Sequence, residues 1–76
     1  MSLEVQINEI LENFENTPSE KIVQVLNQIQ PQFKSELTTD YLKGKLQKIV
    51  DSNDEADKKK QCKALIPYLD WYLQGL

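Results

Sequence analysis

The chain has 76 residues, a formal net charge of −3, no histidine, one cysteine and two glycines, and its nine basic residues are all lysines. With 39% hydrophobic and 28% charged residues, it reads as one folded domain near the lower size limit for a self-sufficient core. An internal disulfide, a histidine-containing zinc site and a histidine general base are excluded by composition alone. No apolar run approaches the length of a membrane span, and the polar, acidic start lacks the regions of a signal peptide, so a cytoplasmic protein is expected.

The first predicted helix covers residues 2–15. Leu3, Ile7, Ile10, Leu11 and Phe14 recur with the spacing of one helix face, Ser2 suits the N-cap and Glu4 lies in the first turn, where negative charge suits the dipole. Val5 points away from that face. In Thr17-Pro18-Ser19-Glu20 the threonine is expected to cap, proline to open a second helix and Glu20 to complete a capping box. That helix carries Ile22, Val23, Val25, Leu26 and Ile29 over an arc wide enough for two neighbours. Pro31 ends it near Gln30.

Residues 31–37 form a short connection, with room for a brief helical turn near residues 32–37, in which Phe33 and Leu37 are expected to plug the end of the core. Ser35 or Thr38 caps a third helix whose inward stripe is Leu42, Leu46, Ile49 and Val50, with Gly44 on the opposite side. Ser52 and Glu55 have capping-box spacing, which starts a fourth helix near Asn53. Its first turns are polar nearly all round, with Asp54 and Lys58, and Glu55 and Lys59, spaced as i, i+4 ion pairs.

The fourth helix then becomes the densest apolar stretch of the chain and runs to Gly75, a suitable C-terminal cap. At about 100° per residue, Cys62, Leu65, Leu69, Tyr72 and Leu76 share one narrow stripe. Pro67 lies opposite, where its missing N–H leaves the Lys63 carbonyl to water and bends the helix. Ala64, Tyr68 and Trp71 sit on a flank of the stripe, as Tyr41 does on the third helix. The expectation is an all-α fold: a compact bundle of four helices spanning residues 1–76 as a single domain.

Machinery for chemistry is sparse. Two glycines cannot build a phosphate-binding loop, and carboxylate pairs such as Glu9 and Glu12 or Asp54 and Asp57 lie on polar faces where nothing raises a pKa. The acidic run from Asp51 to Asp57 lacks the glycine and glutamate that a calcium loop needs; Ala56 and Cys62 stand there instead. Cys62, on the apolar stripe, reads as a small core residue. No enzyme, cofactor or metal is therefore expected.

The expected function is non-catalytic protein binding, as a small adaptor, regulator or inhibitor-type protein. The candidate surface combines Tyr41, Lys45, Lys48, Tyr68 and Trp71, because partly exposed aromatics dominate binding hot spots. A second candidate is the acidic face of Glu4, Glu9, Glu12 and Glu15. Charge is unevenly placed: residues 1–40 hold seven acids against two lysines, residues 41–76 seven lysines against five acids. Such polarity suits self-association or a charged partner. The alternatives are a nucleic-acid-binding accessory protein using a basic end made of Lys43, Lys45, Lys48, Lys58, Lys59, Lys60 and Lys63, and a protein that neutralises a toxin or effector. Net acidity and the absence of arginine weigh against nucleic acid.

Overall fold

The structure, a computed structural model, describes residues 2–75, and every regular element among them is helical. Five α-helices follow in order: α1 (Leu3–Glu12), α2 (Ser19–Ile29), α3 (Glu36–Asp51), α4 (Glu55–Ala64) and α5 (Ile66–Leu73). Short 3-10 turns at Phe14–Asn16 and Gln30–Gln32 carry the chain round its first two corners. No helix among the described residues is long and apolar enough to cross a membrane.

Local signals fix much of α1. Ser2 Oγ accepts from the Val5 amide at 3.3 Å, and Ile7 and Ile10 are fully buried with Leu3 and Leu11 packed beside them. The helix stops three residues before the expected end. Asn13 leaves helical geometry at φ −127°, ψ 35°, and Thr17 Oγ1 donates back to the Asn13 carbonyl at 2.8 Å. Pro18 disfavours helical geometry at Thr17, so the last turn contracts to a 3-10 turn while Phe14 still packs on the core.

α2 buries Ile22, Val25, Leu26 and Ile29, and it packs against α1, α3 and α4, which is why its apolar arc is wide. The expected capping box does not form: Pro18 occupies the N-cap position and no side chain of this segment caps the helix. The cap comes from α4, as described below. At the far end, Gln30 Nε2 donates to the Thr39 carbonyl at 3.3 Å, and Thr39 Oγ1 reaches the Phe33 carbonyl at 3.4 Å. These bonds tie the second corner to the start of α3.

In α3, Ser35 is the cap, accepting from the Thr38 amide at 3.4 Å, and Leu42, Leu46 and Ile49 are buried. Two expectations fail here. Leu37 is 84% exposed, because the helix begins at Glu36 and a residue five positions before Leu42 falls far off the buried stripe. Val50 is 58% exposed, because the stripe centres on Leu42 and Ile49 and leaves Val50 about a quarter-turn away. Phe33 is buried as expected, and Gly44 faces open space.

The expected fourth helix is two helices. Pro67 has no N–H to continue the ladder, and Leu65 at φ −99°, ψ 0° ends α4 with its amide on the Cys62 carbonyl at 2.9 Å. The Tyr68 amide then bonds the Leu65 carbonyl at 3.0 Å, opening α5. A break replaces the anticipated bend. α4 also starts at Glu55 and not near Asn53, with Asp54 as the cap, accepting from the Ala56 amide at 3.2 Å. The apolar stripe survives the break: Cys62, Leu65 and Leu69 are all buried. Tyr72 is half-buried with its hydroxyl donating to Gln32 Oε1 at 3.3 Å, and Leu76 lies outside the described residues.

Candidate functional site

Three segments bring their aromatic side chains together. Phe33 leaves the second 3-10 turn with its ring at the edge of the core. α5 sets Tyr68 and Trp71 three residues apart, and α3 supplies Tyr41. Phe33 meets Trp71 edge-on at 5.4 Å between ring centroids and Tyr68 at 6.0 Å. Tyr68 lies 6.2 Å from Trp71 and 6.1 Å from Tyr41. Each such contact contributes about 0.5 to 1.5 kcal/mol beyond burial, so the four rings support one another.

Exposure grades across that platform. Phe33 is buried, Tyr68 is intermediate, and Tyr41 and Trp71 are 50% and 46% exposed. Trp71 therefore both fills a groove against Phe33 and shows a face to solvent. Burial, with Tyr41 nearby, raises the Tyr68 phenol above its ordinary pKa.

Lysines edge the platform. The Lys45 ammonium lies 5.5 Å above the Tyr41 ring, a cation–π contact. Lys48, exposed, follows on the same flank of α3. Lys34 joins Phe33, Ser35, Thr38 and Trp71 around an apolar cleft of about 230 Å³. The structure thus gathers Tyr41, Lys45, Tyr68 and Trp71 into one surface, with Lys48 along its α3 edge. Phe33 and Lys34 were missed as members of it, since no local pattern pairs the residues before α3 with α5.

The acidic face is less coherent. Glu4, Glu9 and Glu12 are exposed on α1 beside the exposed Val5, but Glu15 lies on the 3-10 turn, in a groove with Pro18, Glu55 and Lys59. The supposed basic end is dispersed. Lys43 lines a groove with Asn27 and Val50, Lys58 one with Glu20 and Val23, and Lys45 belongs to the aromatic surface.

Lys59 leaves that group altogether. Its ammonium donates to the carbonyls of Phe14 and Thr17 and sits 4.4 Å over the Phe14 ring. Glu55, one turn earlier on α4, accepts from the Ser19 amide at 3.0 Å and from Ser19 Oγ at 2.7 Å. The anticipated Glu55 and Lys59 side chains thus serve the α1–α2 corner. A carboxylate caps the positive end of α2 and an ammonium caps the negative end of the preceding turn. The Ser19 bonds hold the Glu55 carboxyl below its ordinary pKa. This constellation is structural in chemistry: its donors and acceptors are spent on each other, and Ser19 is buried.

Among the described residues, no group of three or more histidine, cysteine, aspartate or glutamate side chains is placed to hold a metal ion. Cys62 is free and buried, and burial raises its thiol to a pKa of about 11. It is held as a neutral core group. Comparison of the chain with models of known protein families, with curated proteins and with solved structures finds no match.

Proposed function

We propose that the protein is a non-catalytic protein-binding module, a small adaptor, regulator or inhibitor-type protein, that docks its partner on the surface of Tyr41, Tyr68 and Trp71 edged by Lys45 and Lys48. One observation carries this reading: aromatics from three segments converge on one surface and remain half exposed at Tyr41 and Trp71. Aromatic side chains lose little conformational entropy on binding and dominate hot spots. The absence of histidine and of a phosphate-binding loop supports a role without turnover.

The test is capture of partners from native host extract on the wild-type chain and on Trp71→Ala and Tyr41→Ala. The expected result is a protein retained by the wild type and lost from both variants, whose helical circular dichroism stays unchanged. If every retained protein binds the variants equally well, the reading fails.

A further inference from the structure

We infer that the occupant of the aromatic surface is an acidic segment of another protein, bearing at least one bulky apolar side chain. This inference rests on the protein-binding reading and names the partner's chemistry.

The floor of the surface is apolar. Tyr41 and Trp71, both members of this surface, are among the most exposed large hydrophobic residues in the structure. Between Phe33 and Trp71 the cleft is walled mainly by carbon and is too small for an extended ligand, yet it has room for a single large side chain. An occupant that buries one apolar group there desolvates both rings.

The charged half is the rim. Lys34 stands at the cleft, Lys45 above Tyr41 and Lys48 beyond it. None of the three has a carboxylate partner among the described residues. The acids that could neutralise them are directed elsewhere. At about 100° per residue, Glu36 and Asp40 fall on the other flank of α3, and Asp70 on the other flank of α5. Asp51 accepts from Gln47 at 3.1 Å, and Asp57 accepts from Ser52 at 3.0 Å and from Gln61 at 2.7 Å. An apolar floor is thus edged by uncompensated positive charge on a molecule of net charge −3.

That arrangement favours carboxylates flanking the apolar anchor and repels a basic segment. It also favours a short acidic segment over nucleic acid. Three lysines are few for an extended polyanion on a chain of net charge −3, and arginine, the best phosphate fork, is absent.

Selection of random displayed peptides on the 76-residue chain tests the inference, with binding of the enriched peptides read from the fluorescence of Trp71, the chain's one tryptophan. Enriched peptides are expected to share net negative charge and a large apolar residue. Their affinity should fall about tenfold or more in Lys34→Glu/Lys45→Glu/Lys48→Glu, and Lys48→Glu alone, at an exposed position, should give a smaller loss in a chain that melts like the wild type. Enrichment without an acidic excess, still abolished by Trp71→Ala or Tyr41→Ala, overturns the inference and leaves the protein-binding reading standing. No enrichment at all, or a Trp71 response to a single-stranded oligonucleotide but to no peptide, overturns both. A concentration-dependent rise in solution mass that Tyr41→Ala abolishes, with no preference for acidic peptides, assigns the surface to a second copy of the chain and also overturns it.

Discussion

Glu55 caps a helix to which it is not locally connected: its two carboxylate oxygens take the amide and the hydroxyl of Ser19, 36 positions earlier in the chain. These bonds favour the charged carboxyl and depress its pKa below the ordinary value of 4.5. The sign follows. Above pH 4.5 the contribution of this contact to stability is complete, and it is lost as pH falls through the lower, folded-state pKa. Urea midpoints measured from pH 3 to pH 7 should separate the wild type from Glu55→Gln at neutral pH. The gap should narrow only below about pH 4.5.

Lys59→Met keeps most of the aliphatic stem and removes the ammonium that caps Phe14 and Thr17. Loss of a charged hydrogen-bond donor at a helix end predicts destabilisation of about 1 to 3 kcal/mol. Lys60→Met, on the neighbouring exposed position, should fall within about 0.5 kcal/mol of wild type. Equal effects in denaturant titrations would remove Lys59 from its capping role.

Gly44 sits inside α3 with nothing within 4 Å of where a Cβ would stand. Gly44→Ala should therefore stabilise by about 0.5 to 1 kcal/mol. In a domain of this size that raises the melting temperature by roughly 4 to 8 °C per kcal/mol. Gly75→Ala should not help, since its φ of +97° is strained for any side chain.

Leu69 is fully buried at the point where α5 joins the core, whereas Trp71, two residues on, is half exposed. Leu69→Ala should cost about 2 to 5 kcal/mol. Chemical denaturation of the Leu69→Ala and Trp71→Ala proteins side by side should place the tryptophan variant clearly closer to wild type.

Cys62 should resist thiol reagents in the folded protein and react at once in denaturant. Burial pushes its thiol up from an ordinary value of 9.0 to about 11. Stability from burying the neutral thiol is complete below pH 9.0, and it is lost as pH rises from there through about 11. Cys62→Ala should flatten that part of the alkaline stability profile.

What the amino-acid pattern revealed was whatever depends on residues within a turn of one another. Ser2 and Ser35 as caps, Pro31 as a helix end and the stripes Ile7–Ile10 and Leu42–Leu46–Ile49 are local in this sense, and all appear in the structure. Pro67 was visible too, but whether a proline bends a helix or divides it depends on what packs on either side. Ser52 and Glu55 had a capping-box spacing; the competing partner, Ser19, is remote, so spacing alone chose wrongly. The aromatic surface was half legible. Tyr41, Tyr68 and Trp71 stood out as flank residues, whereas Phe33 and Lys34 belong with them only through the route of the chain.

The α1–α2 corner depends on two side chains that the chain supplies late. Without α4, the first two helices keep only the local bonds of the turn, such as Thr17 Oγ1 to the Asn13 carbonyl, and lack the Glu55 and Lys59 contacts that complete it. A chain truncated before residue 55 should therefore show helix without a settled corner, since both side chains that bond it are then missing.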